Sequence, residues 1–351
     1  MRSRAFISHL FWLPLLVALV LAAGCGGGDD ESSGGGGSSD KLSVFGAYAT
    51  PIEEPWDGVI HTALKREEKA GVIDYKFVDD IGYSGDMERQ LRDVAQEDEP
   101  DIIFGDAFGN EEAVRRVAAD FPDIAFAFGS GGGPAEPNLS VFDNWIHEPA
   151  YLAGLAAGQL SKSHVLGVVG GYPVPEVNRL INAFIQGAQE ADKSTQVKVT
   201  FINSWFDPAA AKEAALAQIS AGADVLYAER FGVIEAASEK GLLSVGNMSD
   251  QSSLAPESVI TSAVWSMEPT VNFVLDQVGR GAYNAQDLKD FSMFAKGGAS
   301  LAELNTGVKG GIPDEVVDLV TKREDEIKQG LFRVDISERQ PPGSVVAGKT
   351  G

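Results

Sequence analysis

Short apolar segments alternate with amphipathic segments along most of the chain. Runs rich in Val, Ile and Phe are typical of strands buried on both faces of a parallel sheet. The segments between them carry apolar residues at helical spacing, for example Met87, Leu91 and Val94. The first part of this pattern predicts strands over 42–48, 75–78, 101–104 and 124–128, and helices over 56–70, 84–96 and 111–119.

The alternation resumes after a break near 144–149. Strands are predicted over 165–169, 197–202, 224–227, 243–245 and 259–262. The helices of this second part include 151–160, 176–191 and 208–221, the last with Asp207 as its N-cap and Pro208 in its first turn. The fold class expected from this order is α/β, with two doubly wound parallel-sheet domains.

The last part of the chain does not continue the alternation. It predicts a helix over 268–280, a strand over 291–295 and a helix over 313–329, and this chain can cross back to the first domain. Several crossings form a multi-strand hinge, which creates a cleft at the carboxyl ends of the strands. We expect a first lobe of 41–146 with about 266–296, a second lobe of 147–265 with about 297–335, and a flexible tail over 336–351.

The N-terminus indicates export. Arg2 and Arg4 precede an apolar run over 10–23, which is typical of a signal peptide over 1–24 and is shorter than the about 20 residues of a spanning helix. Residues 25–40 form a Gly- and Ser-rich tether. Cys25 is the sole cysteine, and Ala22-Ala23-Gly24-Cys25 resembles the lipobox of bacterial lipoproteins. We therefore expect a lipid on Cys25 to hold the protein on the outer face of the cell membrane.

Composition and motifs argue against several function classes. Lys and Arg total 28 against 51 for Asp and Glu, so a net charge of −23 argues against nucleic-acid binding. The histidines His61, His147 and His164 lack metal-ligand spacing. The Gly-rich segment 129–134 lacks the Gly-Lys-Ser/Thr ending of a phosphate loop. We expect no enzyme activity, no metal and no cofactor.

Aromatic and acidic side chains stand just past the ends of predicted strands. In open parallel sheets such loops face the ligand crevice, where rings stack on a flat heterocycle and a carboxylate pairs with its polar edge. The plainer alternatives are core packing for an aromatic residue and helix capping for an Asp. Trp265, near the second expected crossing, either packs the hinge or lines the cleft. The other candidate ligand contacts are Trp56, Asp106, Phe108, Tyr172, Trp205, Phe206 and Asp250.

Six ordered segments carry a family resemblance. They are Glu148-Pro149-Ala150-Tyr151-Leu152-Ala153-Gly154, 166–171, 182–188, Asn203-Ser204-Trp205-Phe206-Asp207-Pro208, 221–225 and Asp250-Gln251. From about residue 48 to 332 the chain resembles the basic membrane protein family of ABC-transporter substrate-binding lipoproteins. The resemblance implies a type I periplasmic-binding-protein fold and a purine nucleoside receptor. In that family the base lies between two aromatic residues, which match Trp56 and Trp205, and pairs with an Asp that matches Asp250.

Two departures from the family bear on the ligand. The first loop reads Glu53-Glu54-Pro55-Trp56, and Trp265 stands where the family has Lys. A free purine base or another flat heterocycle is therefore as plausible as a nucleoside. Lys296 is a further candidate polar contact, from the third expected crossing.

The expected function is capture of a purine base or nucleoside by a monomeric, lipid-anchored protein that delivers it to an ABC permease and ATPase complex. A ligand-sensing lipoprotein that docks a membrane kinase or chemoreceptor would have the same fold and cleft. An extracytoplasmic hydrolase would need a nucleophile with a base beside it, and the sequence offers none.

Overall fold

The first sheet is built from the N-terminal part of the chain. The structure is a computed structural model that describes residues 41–348, so the expectations for the signal peptide, the tether and Cys25 lie outside the described residues. The strands of the first sheet are β1 (Leu42–Ala47), β2 (Ile73–Val78), β3 (Ile102–Asp106), β4 (Ala125–Gly129) and β5 (Leu139–Phe142). They pair in the order β2-β1-β3-β4-β5, all parallel. The helices that connect them are α1 (Pro55–Lys69), α2 (Asp86–Glu97) and α3 (Glu111–Asp120).

The second sheet contains the rest of the strands. They are β6 (Val165–Gly170), β7 (Gln196–Phe201), β8 (Val225–Ala228), β9 (Leu243–Met248), β10 (Val259–Trp265), β11 (Ala299–Leu301) and β12 (Val345–Val346). Their order is β11-β10-β9-β8-β6-β7-β12, and every pair is parallel except β10 with β11. The remaining helices are α4 (His147–Leu160), α5 (Pro175–Ala191), α6 (Pro208–Ser220), α7 (Val233–Glu239), α8 (Glu268–Gly279) and α9 (Asp314–Lys328). Within residues 41–348, no helix has the length and apolar character needed to cross a membrane.

Local sequence explains how several of these helices begin and pack. Asp207 caps α6 as predicted, because its carboxylate accepts the Ala210 N–H at 3.0 Å. Helix α4 is buried on nearly all sides, and small residues let it approach α5 closely. A Cβ added at Gly158 would lie 2.5 Å from the Ala188 carbonyl oxygen, so only glycine fits there.

The prediction of a strand over 291–295 is wrong. This segment forms two 3-10 turns, Lys289–Ser292 and Phe294–Lys296, and the strand β11 follows them. The Phe291 ring packs on Phe273 with centroids 4.8 Å apart, and the Phe294 N–H donates to Glu148. Gly297, at φ 80°, then reverses the chain before β11 begins. The spacing of the aromatic residues therefore reflects turn packing and not sheet alternation.

The flexible tail expected over 336–351 is also a wrong prediction for its described part, 336–348. Asn182 on α5 donates to the carbonyl oxygens of Ser337 and Arg339, both at 2.8 Å. Glu338 accepts a hydrogen bond from the buried Arg179 at 2.7 Å. Strand β12 then pairs with β7 at the edge of the second sheet. These hydrogen bonds and the strand pairing hold the described tail against α5 and the second sheet.

Candidate functional site

A pocket lies where the carboxyl ends of the two sheets meet. Its empty space, including the part that opens to solvent, is about 300 Å³. The loops after β1, β2, β3 and β4 line one side, and those after β6, β7 and β8 line the other. The lining residues are Thr50, Glu54, Trp56, Tyr83, Asp106, Phe108, Ser130, Glu176, Trp205 and Arg230. The expected crevice at the carboxyl ends of the strands is therefore present.

The Trp56 side of the pocket is a packed aromatic wall. Trp56 lies in the first turn of α1, and its ring stacks on Phe142 at 5.9 Å with an interplanar angle of 14°. Trp265 touches the Trp56 ring from another direction, with centroids 5.1 Å apart. Gly129 makes room for this arrangement, because a Cβ there would overlap the Trp56 ring. The ring of Trp56 is thus fixed before any ligand arrives.

The Trp205 side is a second aromatic group. Trp205 follows β7, with the Phe108 ring edge-on at 4.9 Å and the Tyr172 ring at 4.8 Å. The indole Nε1 of Trp205 is buried and has no hydrogen-bond partner among the described residues. Because a buried donor without a partner costs about 1–3 kcal/mol, this N–H suits a ligand acceptor.

A buried charge cluster joins the two sheets beside the pocket. Arg230, directly after β8, donates from Nη1 to Glu54 at 2.9 Å and from Nη2 to Glu229 at 2.7 Å. The three side chains are between 1% and 4% exposed, so these charges are paired away from water. The other oxygen of Glu54 accepts the Trp56 N–H and caps α1. Glu54 therefore fixes the start of the helix that carries Trp56, and it also binds Arg230 from the opposite sheet.

The remaining carboxyl groups at the pocket have raised pKa values. Burial raises the pKa of Asp106 well above its ordinary range, and the nearby charge of Asp57 adds to this. Burial and the charge of Asp143 likewise raise the pKa of Glu176. Behind the pocket, burial and the charge of Glu54 raise the pKa of Asp57 to about 7. These carboxyl groups therefore hold a proton more readily than exposed ones, and a protonated carboxyl group can both donate and accept a hydrogen bond.

The sequence candidates divide between this pocket and its surroundings. Trp56, Asp106, Phe108 and Trp205 line the pocket, and Tyr172 packs against Trp205.

Asp250 and Trp265 instead line an adjoining open groove of about 1000 Å³. Asp250 is exposed there and accepts the Ser252 N–H. Phe206 is 41% exposed and packs on Phe231, outside the pocket lining. Lys296 is also exposed, with its ammonium 5.4 Å from the Phe291 ring.

Sequence reasoning missed Glu54, Glu176 and Arg230. Glu54 was noted only as a departure from a family pattern, although its position before Pro55 is typical of a helix cap. The pair Glu229-Arg230 directly follows the buried strand β8, and this position after a strand could have identified Arg230 as a site residue. No group of three or more acidic, His or Cys side chains suited to a metal ion occurs within residues 41–348.

Comparison with known proteins fits this geometry. The family model described as ABC transporter substrate-binding protein, PnrA-like, matches residues 52–292. The chain belongs to this Bmp family. Bmp-family members are substrate-binding proteins, which agrees with the pocket between the two sheets and with the resemblance found in the sequence.

Two relatives in the family carry different ligand names. A purine-binding protein of Brucella abortus is 30% identical over 260 residues, which cover 74% of this chain and 72% of the relative. A putative ABC transporter glucose-binding protein of Haloferax volcanii is 35% identical over 202 residues, which cover 57% of this chain and about half, 51%, of the relative.

A solved structure supports the fold. The ABC transporter solute-binding protein from Conexibacter woesei superposes with a TM-score of 0.68 at 21% identity, covering 84% of this chain and 99% of that one. The predicted type I periplasmic-binding-protein fold is therefore confirmed.

Proposed function

We propose that this Bmp-family protein captures a purine, as free base or nucleoside, and delivers it to an ABC permease and ATPase complex. The observation that carries this proposal is that Trp56 and Trp205, which follow strands of different sheets, line one pocket. Two large π faces in one pocket suit a flat heteroaromatic ring, at about 1–3 kcal/mol per stacked base. The Brucella purine-binding relative supports the same ligand class.

Glucose is the competing ligand, because one relative carries that name. Aromatic rings and carboxylates also suit sugars, so the residue types alone do not separate the two. The empty space of about 300 Å³ includes the part of the pocket that opens to solvent, so this volume does not separate the two ligands. The unpaired Trp205 Nε1–H can donate to a ring nitrogen or carbonyl of a purine, and equally to a sugar oxygen.

The test is a fluorescence titration of the purified protein with adenine, guanine, hypoxanthine, their nucleosides and glucose. A purine that stacks on tryptophan should quench the emission, and Trp205→Ala should weaken that binding about tenfold or more. Trp145→Phe is the matched control, because Trp145 packs against Arg179 and does not line the pocket. Saturable binding of glucose with no response to any purine would contradict the proposal.

We also propose that a lipid on Cys25 anchors the protein to the outer face of the cell membrane. The signal-peptide pattern before Cys25 and membership of an ABC substrate-binding family support this location. The variant Cys25→Ser should be released into the medium, and cell fractionation with an antibody measures it. Equal membrane retention of the variant and the parent would count against the anchor.

A further inference from the structure

We propose that the C-terminal strand β12 positions the segment that carries Trp205. This segment, the Trp205 loop, comprises residues 203–206 and connects β7 to α6. The proposal rests on the proposed function in one respect, since Trp205 lines the ligand pocket. It concerns how the chain holds this side chain, whichever ligand binds. The tail of the chain, which does not line the pocket, thereby gains a role in ligand affinity.

Ala347, directly after β12, holds both the end of β7 and the start of the Trp205 loop. Its N–H donates to the Phe201 carbonyl oxygen at 2.8 Å. Its own carbonyl oxygen accepts a hydrogen bond from the Asn203 side-chain amide at 2.7 Å. The parallel pairing of β12 with β7 leads directly into these two bonds. One tail residue therefore fixes the chain immediately before Trp205.

Asn203 has a backbone conformation that needs such support. Its φ is 56°, in the left-handed region that residues other than glycine rarely adopt, although Asn tolerates it better than most. Uncommon conformations of this kind persist when the surrounding contacts stabilise them. The hydrogen bond from the Asn203 side chain to Ala347 is one of these contacts. Both residues are therefore positioning residues, which act on the ligand through Trp205.

The second sheet holds the Trp205 loop from the inner side. The Asn203 N–H donates to the Gly171 carbonyl oxygen at 2.9 Å, and the Trp205 carbonyl oxygen accepts Arg230 Nη1 at 2.7 Å. Gly171 also lies beside the Trp205 ring, since a Cβ there would be 2.7 Å from a ring carbon. The loop is thus held by the ends of β6 and β8 on one side and by the tail on the other. Removing the tail leaves the outer side without these contacts.

The tail is anchored separately before it reaches β7. Asn178 and Asn182 on α5 donate to carbonyl oxygens within residues 337–339, at 2.8 to 3.1 Å. Arg179, on the same helix, pairs with Glu338. A deletion that begins after these anchors therefore removes β12 and Ala347 and keeps the contacts to α5. Strand β7 then becomes the edge of the sheet, with backbone groups that lack a neighbouring strand.

The experiment compares truncation after Ser344 with truncation after Gly348. The first removes β12 and Ala347, and the second keeps both hydrogen bonds of Ala347 and is the matched control. Apparent affinity falls with the fraction of molecules that hold the binding conformation. We expect the first truncation to weaken the binding of adenine and adenosine at least about threefold in isothermal titration calorimetry. The control should bind as the parent does.

Tryptophan emission of the ligand-free protein locates the effect. Trp205 is half-buried, so a loosened loop should expose its ring to more water. Truncation after Ser344 should therefore shift the emission to longer wavelength and increase quenching by acrylamide. The same truncation in a Trp205→Phe background should change neither quantity. A change that persists in Trp205→Phe would place the effect elsewhere and overturn the proposal.

Asn203→Asp tests the same contact without a truncation. An ionised Asp tolerates a positive φ but cannot donate to the Ala347 carbonyl oxygen. It should weaken binding about as much as the truncation does, and the two changes together should weaken it little further, because they remove one contact. Losses that simply add would show that Asn203 and Ala347 act independently, against the proposal.

The remaining outcomes also decide the matter. Unchanged affinity and unchanged emission in both variants would overturn the role of β12. If the truncated chain does not fold, the affinity and emission of Asn203→Asp decide in its place. If neither adenine nor adenosine binds the parent, the proposed function fails, whereas the ligand-free emission still tests whether β12 holds the Trp205 loop.

Discussion

Removing Arg230 should destabilise the protein strongly. The substitution Arg230→Leu deletes a guanidinium that donates to Glu54 at 2.9 Å and to Glu229 at 2.7 Å, with all three side chains at most 4% exposed. Breaking a buried ion pair by removing one partner costs about 3–5 kcal/mol, because the charge left behind remains out of water. A typical total stability is about 5–15 kcal/mol, so the loss should be large.

The triple variant Glu54→Gln/Glu229→Gln/Arg230→Leu separates charge from packing. It removes both carboxylates that Arg230 pairs with, and Gln at position 54 can still accept the Trp56 N–H that caps α1. Because the largest part of the loss comes from charges left buried without a partner, removing these charges should return much of the lost stability. The assay is guanidinium unfolding followed by far-UV circular dichroism, with comparison of the extrapolated free energies of unfolding.

The pH dependence of the single variant gives an independent check. Burial already raises the pKa of Glu54, and without the opposing charge of Arg230 this pKa rises further, so the folded protein holds that proton more tightly than the unfolded chain. The deficit relative to the parent should therefore shrink as the pH falls toward about 4, the ordinary pKa of Glu. A loss below about 1 kcal/mol at neutral pH, or a triple variant no more stable than the single one, would refute the reasoning.

Three further predictions concern the pocket wall, a buried acid and the tail. Gly129→Ala should weaken ligand affinity about tenfold or more, because the added Cβ would displace the Trp56 ring. The control Gly279→Ala should keep the parent affinity, since the nearest atom to its added Cβ lies 4.0 Å away. Equal titration curves for the two variants would contradict this prediction. Since the folded-state pKa of Asp57 is raised to about 7, its contribution to stability is lost as the pH rises from about 4 to about 7. Asp57→Asn should flatten this decline when the free energy of unfolding is measured by chemical unfolding at several pH values. Asp74→Asn, on the surface, should keep the decline of the parent protein. Identical pH slopes for the parent and Asp57→Asn would count against the role of Asp57. Truncation after residue 335 removes the contact of Glu338 to the buried Arg179. It should lower the free energy of unfolding by about 1–3 kcal/mol. An unchanged free energy of unfolding would mean that the tail contacts contribute nothing to stability.

Much of the fold could be predicted from the sequence, because buried parallel strands read as continuous apolar runs. The strands around 42–48, 101–104 and 165–169 occur as predicted, within a residue or two. The short strand β5 was missed, since its pairing with β4 and with residues 285–288 is not visible in four residues of sequence. The prediction of a strand over 291–295 failed for the same reason, because contacts with residues distant in sequence determine the backbone conformation of this segment.

The candidate site was predictable where a residue acts through its position after a strand. Trp56, Asp106, Phe108 and Trp205 were found in this way, and all four line the pocket. The charge cluster was not found, because Glu54 and Arg230 are 176 residues apart in sequence and meet only when both sheets have formed. Asp250 shows the converse, since its place after β9 positions it in the open groove and not in the pocket.

A purine ring is expected to lie between the Trp56 and Trp205 sides of the pocket. A crystal structure of the protein grown with adenine tests it most directly. The account predicts planar density in that pocket, with ring nitrogens or the amino group within hydrogen-bonding distance of Asp106, Glu176 and the Trp205 Nε1. Adenine density in the groove beside Asp250, with the pocket between Trp56 and Trp205 unchanged, would contradict this expectation.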